Sequence, residues 1–333
     1  MVKWGILSTA GIAGLMADTI TFVNGTPPLA VSSRSLEKAK KFAVERGIER
    51  AYGSAEELVS DPDVDIVYIA TPMSLHYEHA MLALTHGKSV FCEKAITQNA
   101  AELRALSEEA EKRGLLLCEA MWTKCLPSYR LAKEWIDAGK IGKVKLLKAD
   151  FTINTACFDE NHRLFANRLG GGALLDLGSY GFHFVTGLLG NKPDHIRTKA
   201  HIGVTNVDFD SVTELCYGDA SAFLTLSFTM EGKSVANIVG DKGSIFFDAN
   251  FPHTPHVKLK DDHNRVVEDV TVKFDHNGYE YEVIDVQKAL EERRTQSELI
   301  PVSDSLAVME LMDGVRASWG LAFENELRIK NEE

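Results

Sequence analysis

The chain has 333 residues, of which 45% are hydrophobic and 25% are charged, so it is long enough for two domains with buried cores. Its 36 basic and 48 acidic residues give a net charge of −12, which disfavours nucleic acid and anionic lipid as partners. No stretch approaches the roughly 18 uninterrupted apolar residues that a membrane span needs. The start of the chain reads as a strand and a helix rather than an export signal.

Five cysteines are scattered along the chain without the spacing of a metal site or of a disulfide framework. Thiols of this kind suit a reducing compartment, so we expect a cytoplasmic protein that binds no metal. The cysteines are Cys92, Cys118, Cys125, Cys157 and Cys216.

The first 120 residues alternate short β-branched segments with stretches of helical spacing, which predicts βαβ units around a parallel sheet. The predicted strands are 3–7, 30–33, 51–52, 66–70, 89–92 and 115–118. The predicted helices are 12–22, 36–46, 56–60, 75–86 and 100–113. Ser54 with Glu57, and Asn99 with Glu102, have the capping-box spacing that starts a helix.

After residue 120 the pattern changes to a helix that begins near Pro127, a Gly-rich helix near 172–189, and many short alternating strands separated by turns. Two late helices, at 279–293 and 304–319, are predicted to cover one face of the resulting sheet. The fold class is therefore α/β. A doubly wound parallel-sheet domain at 1–122 is followed at 123–333 by an α+β domain with a large, mainly antiparallel open sheet.

The segment after the first strand, residues 5–13, has the position of a phosphate-binding turn, since it opens a helix whose N–H groups can meet a pyrophosphate. Ser8, Ala10 and Ala13 stand where the usual dinucleotide pattern has glycine, glycine and a small residue, so the motif alone is weak. A tight turn without a ligand is the alternative. The predicted cofactor contacts of this turn are Ser8, Thr9, Ala10, Gly11 and Ile12.

No acidic residue follows the second strand, where an NAD-selective site uses one to bind the ribose hydroxyls. Ser33 and Arg34 stand there instead, and a hydroxyl with a guanidinium suits a 2′-phosphate, so NADP is predicted over NAD. Lys38, one helical turn further on, adds positive charge. The alternative is that Arg34 and Lys38 are ordinary solvent-exposed cations.

Polar residues also follow the fourth and fifth strands, at the carboxyl edge of the sheet, where open α/β sheets bind ligands. Thr71 and Pro72 follow the fourth strand, and Glu93 with Lys94 follows the fifth. Charged residues directly after a buried strand are costly without a partner or a ligand. We predict cofactor contacts at all four residues, and a structural ion pair is the alternative for the two charged ones.

Five segments of the chain occur in the same order, and at the same spacing, as the motifs of a known protein family. They are residues 4–8, 51–54, 92–94, 119–123 and 170–180. The chain therefore resembles, over essentially its whole length, the glucose-fructose oxidoreductase and inositol dehydrogenase family of two-domain NAD(P)-dependent oxidoreductases. It is most similar to the branch of dimeric dihydrodiol dehydrogenases and NADP-dependent D-xylose dehydrogenases. The resemblance implies a dinucleotide-binding Rossmann domain, then a substrate-binding and dimerisation domain whose open sheet makes a homodimer contact.

The sequence departs from the family pattern at three places. Ala95 follows Glu93 and Lys94 where the family has proline, and Ser8 with Ala10 replaces two glycines of the turn. Lys124 stands where the close relatives have an arginine. The lysine keeps the positive charge but lacks the planar set of N–H donors that a guanidinium group provides.

Asp176 and Tyr180 lie four residues apart in the Gly-flanked helix, so both are predicted to project from one face, with His183 three residues further on. By the resemblance they match the family's catalytic acid and its catalytic Tyr or His, beside Lys94. A tyrosine becomes a usable base only beside a cation such as Lys94. Lys94 can instead bind the substrate hydroxyl itself, and Asp176 then orients Lys94 or a substrate hydroxyl. A helix-surface hydrogen bond without catalysis is the bland alternative.

Each of the remaining site predictions has an alternative in which the residue has only a structural role. The resemblance implies a cofactor contact for His76 and a contact with nicotinamide and substrate for Trp122, whereas a helix-start role and ordinary packing are the alternatives. Arg163 either contacts substrate hydroxyls or pairs with the excess of acidic residues. His183 is predicted to be a core residue because its neighbours are apolar.

The predicted activity is hydride transfer between NADP and a CH–OH group of a small sugar, polyol or cyclic diol. In this reaction Lys94 and Tyr180 carry the proton, and Asp176 orients Lys94 or a substrate hydroxyl. Trp122 and Arg163 contact the substrate. One alternative is a family member that recycles tightly bound cofactor on a sugar. Another is a non-catalytic NADP(H)-binding regulator.

Overall fold

The computed structural model describes residues 1–155 and 158–324, which form two compact units. Unit 1 comprises Met1–Trp122 and Asp275–Leu306. Unit 2 comprises Thr123–Phe274 and the described residues from Ala307 onward.

Unit 1 contains a parallel six-stranded sheet with the strand order β3-β2-β1-β4-β5-β6. Its strands are β1 (Trp4–Leu7), β2 (Ala30–Ser32), β3 (Arg50–Tyr52), β4 (Ile66–Ile69), β5 (Ser89–Glu93) and β6 (Leu117–Ala120). Strands β1 and β4 are buried along their whole length, as expected for strands that are covered on both faces. This order is that of a doubly wound Rossmann sheet, so the predicted parallel sheet is confirmed.

The predicted helices between these strands are present. They are α1 (Gly11–Asn24), α2 (Leu36–Arg46), α3 (Ala55–Val59), α4 (His76–Thr85) and α5 (Ala100–Arg113). Ser54 accepts the N–H of Glu57 at 3.1 Å, and Asn99 accepts that of Glu102 at 2.9 Å. Both predicted capping residues therefore start their helices.

Unit 2 contains an eight-stranded sheet with the strand order β14-β13-β12-β11-β7-β10-β9-β8. Its strands are β7 (Val144–Thr152), β8 (His195–Ile202), β9 (Asp208–Tyr217), β10 (Ala220–Ser227), β11 (Ala236–Gly240), β12 (Gly243–Phe247), β13 (His256–Asp261) and β14 (Val266–Thr271). Only β7 and β10 pair in parallel among these strands, so the mainly antiparallel sheet is confirmed. Alternate residues of β10 (Ala222, Leu224 and Leu226) are buried, which places the core on one face.

The helices of this unit before its last segment are α6 (Trp122–Cys125), α7 (Pro127–Asp137) and α8 (Ser179–Leu189). Helix α8 lies against β7 and β10 and buries Phe182, Phe184 and Val185. The predicted helix near 172–189 is not α-helical throughout, because Leu174–Gly178 forms a π-helical turn. Such wider turns occur often at functional sites.

The two late helices are α9 (Glu280–Glu291) and α10 (Val302–Ser318). The prediction that both cover the second sheet is wrong for α9, which packs against α1 in unit 1. It buries Val283 and Val286, and just before it Asn277 donates a hydrogen bond to Thr19 of α1 at 2.9 Å. The segment Asp275–Leu306 thus returns to unit 1, so one boundary after residue 122 does not describe the chain.

Cys157 lies outside the described residues. Cys92, Cys118, Cys125 and Cys216 are free thiols. Among the helices of residues 1–155 and 158–324, none has the length and apolar character needed to cross a membrane.

Candidate active site

The turn between β1 and α1 exposes unsatisfied backbone donors. Ser8 has a φ of 147°, a conformation that favours glycine, and its Oγ accepts the N–H of Ala10 at 3.0 Å. Ala10 precedes α1 in extended conformation and provides no side-chain cap. The first N–H groups of α1 are therefore free of side-chain caps, which fits a phosphate ligand. All five predicted contact residues of the turn are at least partly accessible: Ser8, Thr9, Ala10, Gly11 and Ile12.

The end of β2 presents the predicted 2′-phosphate ligands to solvent. Ser33 is half-buried, while Arg34 and Lys38 are exposed. Ser35 starts α2 by accepting the N–H of Lys38 at 3.3 Å, so the helix begins directly beside the two cations. Within the part of the chain that is described, neither Arg34 nor Lys38 forms an ion pair with a carboxylate. Their charges fit a bound phosphate.

The loops after β4 and β5 are linked by His76. Its Nδ1 lies 3.0 Å from the carbonyl oxygen of Ala95, and its Nε2 lies 2.9 Å from that of Thr71. The ring is 2% exposed, and burial lowers the pKa of His76. A neutral imidazole has one N–H, so in a given tautomer His76 donates to one of these carbonyl oxygens and only packs against the other. The structure thus places the ring between the two loops, and its role as a cofactor contact stays a prediction. Thr71 is half-buried and Pro72 is exposed, so both remain accessible.

Glu93 ends β5 and Lys94 follows it, and both are half-buried. The hydroxyl of Tyr68, on neighbouring β4, donates a hydrogen bond to Glu93 Oε1 at 2.6 Å. The pKa of Glu93 is raised overall because burial outweighs the opposing effects of the bond from Tyr68 and the charge of Lys94. The peptide bond between Lys94 and Ala95 is cis. Glu93 therefore has a hydrogen-bond partner in Tyr68, which the sequence analysis did not predict.

Two further carboxyl groups are buried near Glu93, and we call Glu93, Glu119 and Glu282 the acidic cluster. Glu119 of β6 accepts the N–H of Ile96 at 3.1 Å. Glu282 comes from α9, is 0% exposed, and its oxygens have no hydrogen-bond partner among the described residues. Burial, followed by the charges of Glu93 and Glu119, raises the pKa of Glu282 well above its usual value.

Trp122 follows β6 and is almost fully buried. Its ring stacks face to face on Tyr279, with 4.0 Å between the ring centroids and 5° between the planes. This stacking agrees with ordinary packing on one face of the indole.

In unit 2 a glycine run precedes Asp176. Gly172 has a φ of 122°, and a Cβ on it would lie 2.3 Å from Oδ1 of Asp208. Asp208 is buried, and its Oδ2 accepts the N–H of Leu174 at 2.7 Å, which starts the π-helical turn. Burial raises the pKa of Asp208 to about 7, although the N–H bonds and Arg316 oppose the shift.

Asp176 lies in the π-helical turn and Tyr180 in the first turn of α8, so the spacing of four residues between them spans the change from the wider turn to the α-helix. Asp176 is half-buried, and its Oδ1 accepts a hydrogen bond from Arg163 Nη1 at 2.9 Å. Tyr180 is half-buried and packs edge-to-face on Phe151 at 5.6 Å. His183 is buried, as its apolar neighbours predict.

The structure thus brings together two groups of candidate residues. The first ends the strands of unit 1 at one edge of its sheet. The second follows the glycine run of unit 2. Sequence reasoning missed three residues near Lys94, namely Tyr68, Glu119 and Glu282. Glu119 gave a signal, since it is a charge directly after the predicted strand 115–118, whereas Tyr68 lies inside the predicted strand 66–70 and read as an ordinary strand residue.

The parallel sheet, its strand order and the uncapped α1 define a dinucleotide-binding Rossmann domain, followed here by a mainly antiparallel α+β domain. Residues 15–120 match the oxidoreductase family with an NAD-binding Rossmann fold, and residues 129–246 match the GFO/IDH/MocA C-terminal domain. The chain belongs to the GFO/IDH/MocA family of NAD(P)-dependent oxidoreductases.

Curated relatives cover nearly the whole chain. The trans-1,2-dihydrobenzene-1,2-diol dehydrogenase of Homo sapiens is 33% identical over 340 residues, which span 98% of this chain and 99% of the relative. The enzyme of that name from Xenopus tropicalis is 30% identical over 332 residues, spanning 96% of this chain and 99% of the relative.

Solved structures share the fold. The 3-ketoreductase KijD10 from Actinomadura kijaniata, in complex with NADP and TDP-benzene, has a TM-score of 0.83 and 25% identity over 95% of this chain and 97% of its own. The aldose-aldose oxidoreductase from Caulobacter crescentus has a TM-score of 0.86 and 20% identity over 95% of this chain and 96% of its own. The likeness to the second protein shows the fold alone.

Proposed function

We propose that this oxidoreductase uses NADP and acts on a CH–OH group of a small sugar, polyol or cyclic diol. One observation carries the proposal: four neighbouring strands of the parallel sheet end in polar or cationic residues. Ser8 follows β1, Arg34 follows β2, Thr71 follows β4 and Lys94 follows β5. The human relative named as a dihydrodiol dehydrogenase and the KijD10 complex with NADP support the same reading.

The cofactor would be held by residues at the ends of β1 and β2. The accessible turn that includes Ser8 would bind the pyrophosphate with the N–H groups of α1. Ser33, Arg34 and Lys38 would bind the 2′-phosphate, since a charged hydrogen bond to a phosphate is among the stronger polar contacts. This set distinguishes NADP from NAD by charge.

The reaction needs a proton carrier as well as the cofactor. A bound nicotinamide supplies hydride transfer to or from the substrate carbon. Lys94 and Tyr180 are our candidates for the carrier of the hydroxyl proton, and either one can be its immediate acceptor. Asp176, which accepts a hydrogen bond from Arg163 at 2.9 Å, would orient a substrate hydroxyl, and we propose Arg163 and Trp122 as substrate contacts.

The test is the absorbance of reduced nicotinamide with NADP⁺ and NAD⁺ in parallel, across aldoses, inositols, linear polyols and cyclic diols. We expect turnover with NADP⁺ on at least one class, lost in Lys94→Ala and retained in Lys41→Ala. Lys41 is the matched control because it is an exposed lysine of α2 without a role in the site. Turnover with NAD⁺ alone would overturn the cofactor assignment, and cofactor binding without any turnover would favour cofactor recycling or a regulator.

We also propose a cytoplasmic homodimer that associates through the open face of the eight-stranded sheet. The free thiols suit a reducing compartment. The face of β10 opposite its buried residues carries Phe223 and Thr225, which pair with Lys148 and Asp150 of β7, and this mixed apolar and charged surface suits self-association. Light scattering is expected to give twice the mass of the chain for the native protein and the monomer mass for Phe223→Arg.

A further inference from the structure

Asp208 caps a helical turn from a distant strand. The π-helical turn Leu174–Gly178 follows Ala173, which provides no side-chain cap, and the first N–H groups of a helical segment have no partner within it. The N–H of Leu174 instead donates to Oδ2 of Asp208, 34 residues later in the chain, at 2.7 Å. Asp208 is the first residue of β9 and is 3% exposed. The start of the turn is therefore attached to the eight-stranded sheet.

A cap from the turn's own segment would satisfy this N–H with a smaller desolvation penalty. A serine or asparagine in place of Ala173 would be such a cap, whereas Asp208 buries a carboxyl group. The guanidinium of Arg316, which is 6% exposed, offsets part of that penalty. Unlike a local cap, the distant cap ties the position of the turn to a strand, so the turn does not depend on the loop before it.

Gly172 lets the carboxyl group approach the turn. Its φ of 122° is in the range that favours glycine, and a Cβ on it would overlap Oδ1 of Asp208. Its N–H donates to the carbonyl oxygen of Leu164 at 2.9 Å. The glycine therefore contacts Asp208 on one side and the loop that contains Arg163 on the other.

These contacts converge on the pair of Arg163 and Asp176. Arg163 directly precedes Leu164, whose carbonyl oxygen is bound by the glycine run, and Asp176 lies two residues after Leu174, whose N–H is bound by β9. The two side chains meet where Nη1 of Arg163 donates to Oδ1 of Asp176 at 2.9 Å. The side chain of Arg163 is 61% exposed, so packing restricts it little. The geometry of the pair therefore depends on the backbone segments that carry it.

We propose that Asp208 is a positioning residue for the Arg163–Asp176 pair, because its carboxyl group fixes to β9 the backbone that carries both residues. This inference rests on the proposed function, in which Asp176 orients a substrate hydroxyl and Arg163 contacts the substrate. Without the carboxyl group the turn loses its cap, and the pair occupies more than one arrangement. The substrate then binds less tightly, because the pair must be ordered when the substrate binds. The proposed cofactor contacts belong to unit 1 and do not depend on Asp208.

The test is KM and kcat for the substrate at saturating NADP⁺ in Asp208→Ala, Asp208→Asn and the double variant of Asp208→Ala with Arg163→Ala. Asp208→Ala is expected to raise KM about threefold to tenfold. Asp208→Asn is expected to stay within about twofold of native, because the amide oxygen can still accept the N–H of Leu174. The double variant is expected to raise KM by less than the product of the two single effects, because both substitutions disturb the same pair. A merely structural role would lower the amount of active enzyme, and thus the apparent kcat, with KM unchanged.

Asp241→Ala is the matched control. Oδ1 of Asp241 accepts the N–H of Lys143 at 3.0 Å, and a Cβ on Gly142, which has a φ of 71°, would overlap the same oxygen. Asp241 thus combines a carboxyl acceptor with a glycine of positive φ in the same unit, on the turn between β11 and β12. Its KM is expected to match that of the native enzyme.

Hydrogen exchange measured by mass spectrometry, without any substrate, reports on the turn itself. Peptides that cover residues 164–178 are expected to exchange faster in Asp208→Ala, and at the native rate in Asp208→Asn and Asp241→Ala. If Asp208→Ala does not fold, Gly172→Ala decides, because its Cβ displaces the same carboxyl group and its KM is expected to rise by a similar factor.

Three results would each overturn the inference. They are a native KM in folded Asp208→Ala or Gly172→Ala, an equal rise of KM in Asp208→Asn, and native exchange of residues 164–178 in Asp208→Ala. Faster exchange in Asp208→Ala, together with a native protein that turns over no sugar, polyol or diol, would instead contradict the proposed function alone.

Discussion

Asp208→Asn tests whether the carboxyl group that starts the π-helical turn carries a proton in the folded protein. Asp208 is 3% exposed, and burial raises its pKa from 3.8 to about 7. Between these values the folded state holds a proton that the unfolded state has lost. This stabilisation is complete below 3.8 and lost as pH rises through about 7, so the free energy of unfolding falls across this window.

The size of the effect follows from the width of the window. One proton corresponds to about 1.4 kcal/mol per pH unit, and the full gap of about three units amounts to about 4 kcal/mol. Between about pH 5 and about pH 8 the native protein is therefore expected to lose about 3 kcal/mol relative to the Asp208→Asn variant. An asparagine oxygen can still accept the N–H of Leu174, so the hydrogen bond is kept while the titration is removed.

The assay is urea unfolding of native protein and Asp208→Asn, followed by circular dichroism at constant ionic strength across this range. Asp241→Asn is the matched control, because Asp241 accepts the N–H of Lys143 at 3.0 Å in the same manner at an exposed position. A difference between native protein and Asp208→Asn that stays constant with pH would refute the reasoning, since it would mean that burial does not hold the proton.

Three other substitutions test separate parts of the account. Arg34→Ala is expected to weaken NADP⁺ binding about tenfold to a hundredfold, because a charged hydrogen bond is lost, and to leave NAD⁺ binding unchanged in the same fluorescence titration. Equal losses of affinity for both cofactors would contradict the 2′-phosphate contact. Gly172→Ala is expected to lower the free energy of unfolding by about 1–3 kcal/mol, since the new side chain combines a positive φ with a Cβ 2.3 Å from Asp208 Oδ1. Urea unfolding measures this loss, and a variant as stable as the native protein would contradict the prediction. Arg163→Ala is expected to raise KM for the substrate several-fold by releasing Asp176, with NADP⁺ affinity unchanged, and an unchanged KM would assign Arg163 to the surface.

Local signals in the sequence were sufficient to predict the parallel sheet and the residues at which its helices begin. The capping residues Ser54 and Asn99 act within three residues of themselves, so their spacing determines the outcome. The polar ends of β1, β2, β4 and β5 follow from chain order, because parallel strands bring their carboxyl ends to one edge.

Long-range packing could not be predicted in the same way. The apolar stripe of α9 indicates one buried face, but it does not specify the sheet or helix that covers that face, and this is why its return to unit 1 was missed. The stacking of Trp122 on Tyr279 joins residues far apart in sequence. The two carbonyl contacts of His76 likewise depend on the loop after β5.

The π-helical turn at Leu174–Gly178 has a different origin. A spacing of four residues between Asp176 and Tyr180 fits an α-helix, and nothing in the periodicity signals a wider turn. The turn begins where Asp208, more than 30 residues later, accepts the N–H of Leu174. That contact depends on tertiary structure, so the sequence pattern does not contain it.

The central claim is that Lys94 transfers the proton of the reaction, and the most direct test compares NADP⁺ reduction by native protein, Lys94→Ala and Lys41→Ala on the best substrate. The account predicts that Lys94→Ala lowers kcat by about a hundredfold or more even when NADP⁺ is saturating, and that Lys41→Ala matches the native enzyme. A Lys94→Ala protein whose kcat lies within about twofold of native would contradict it.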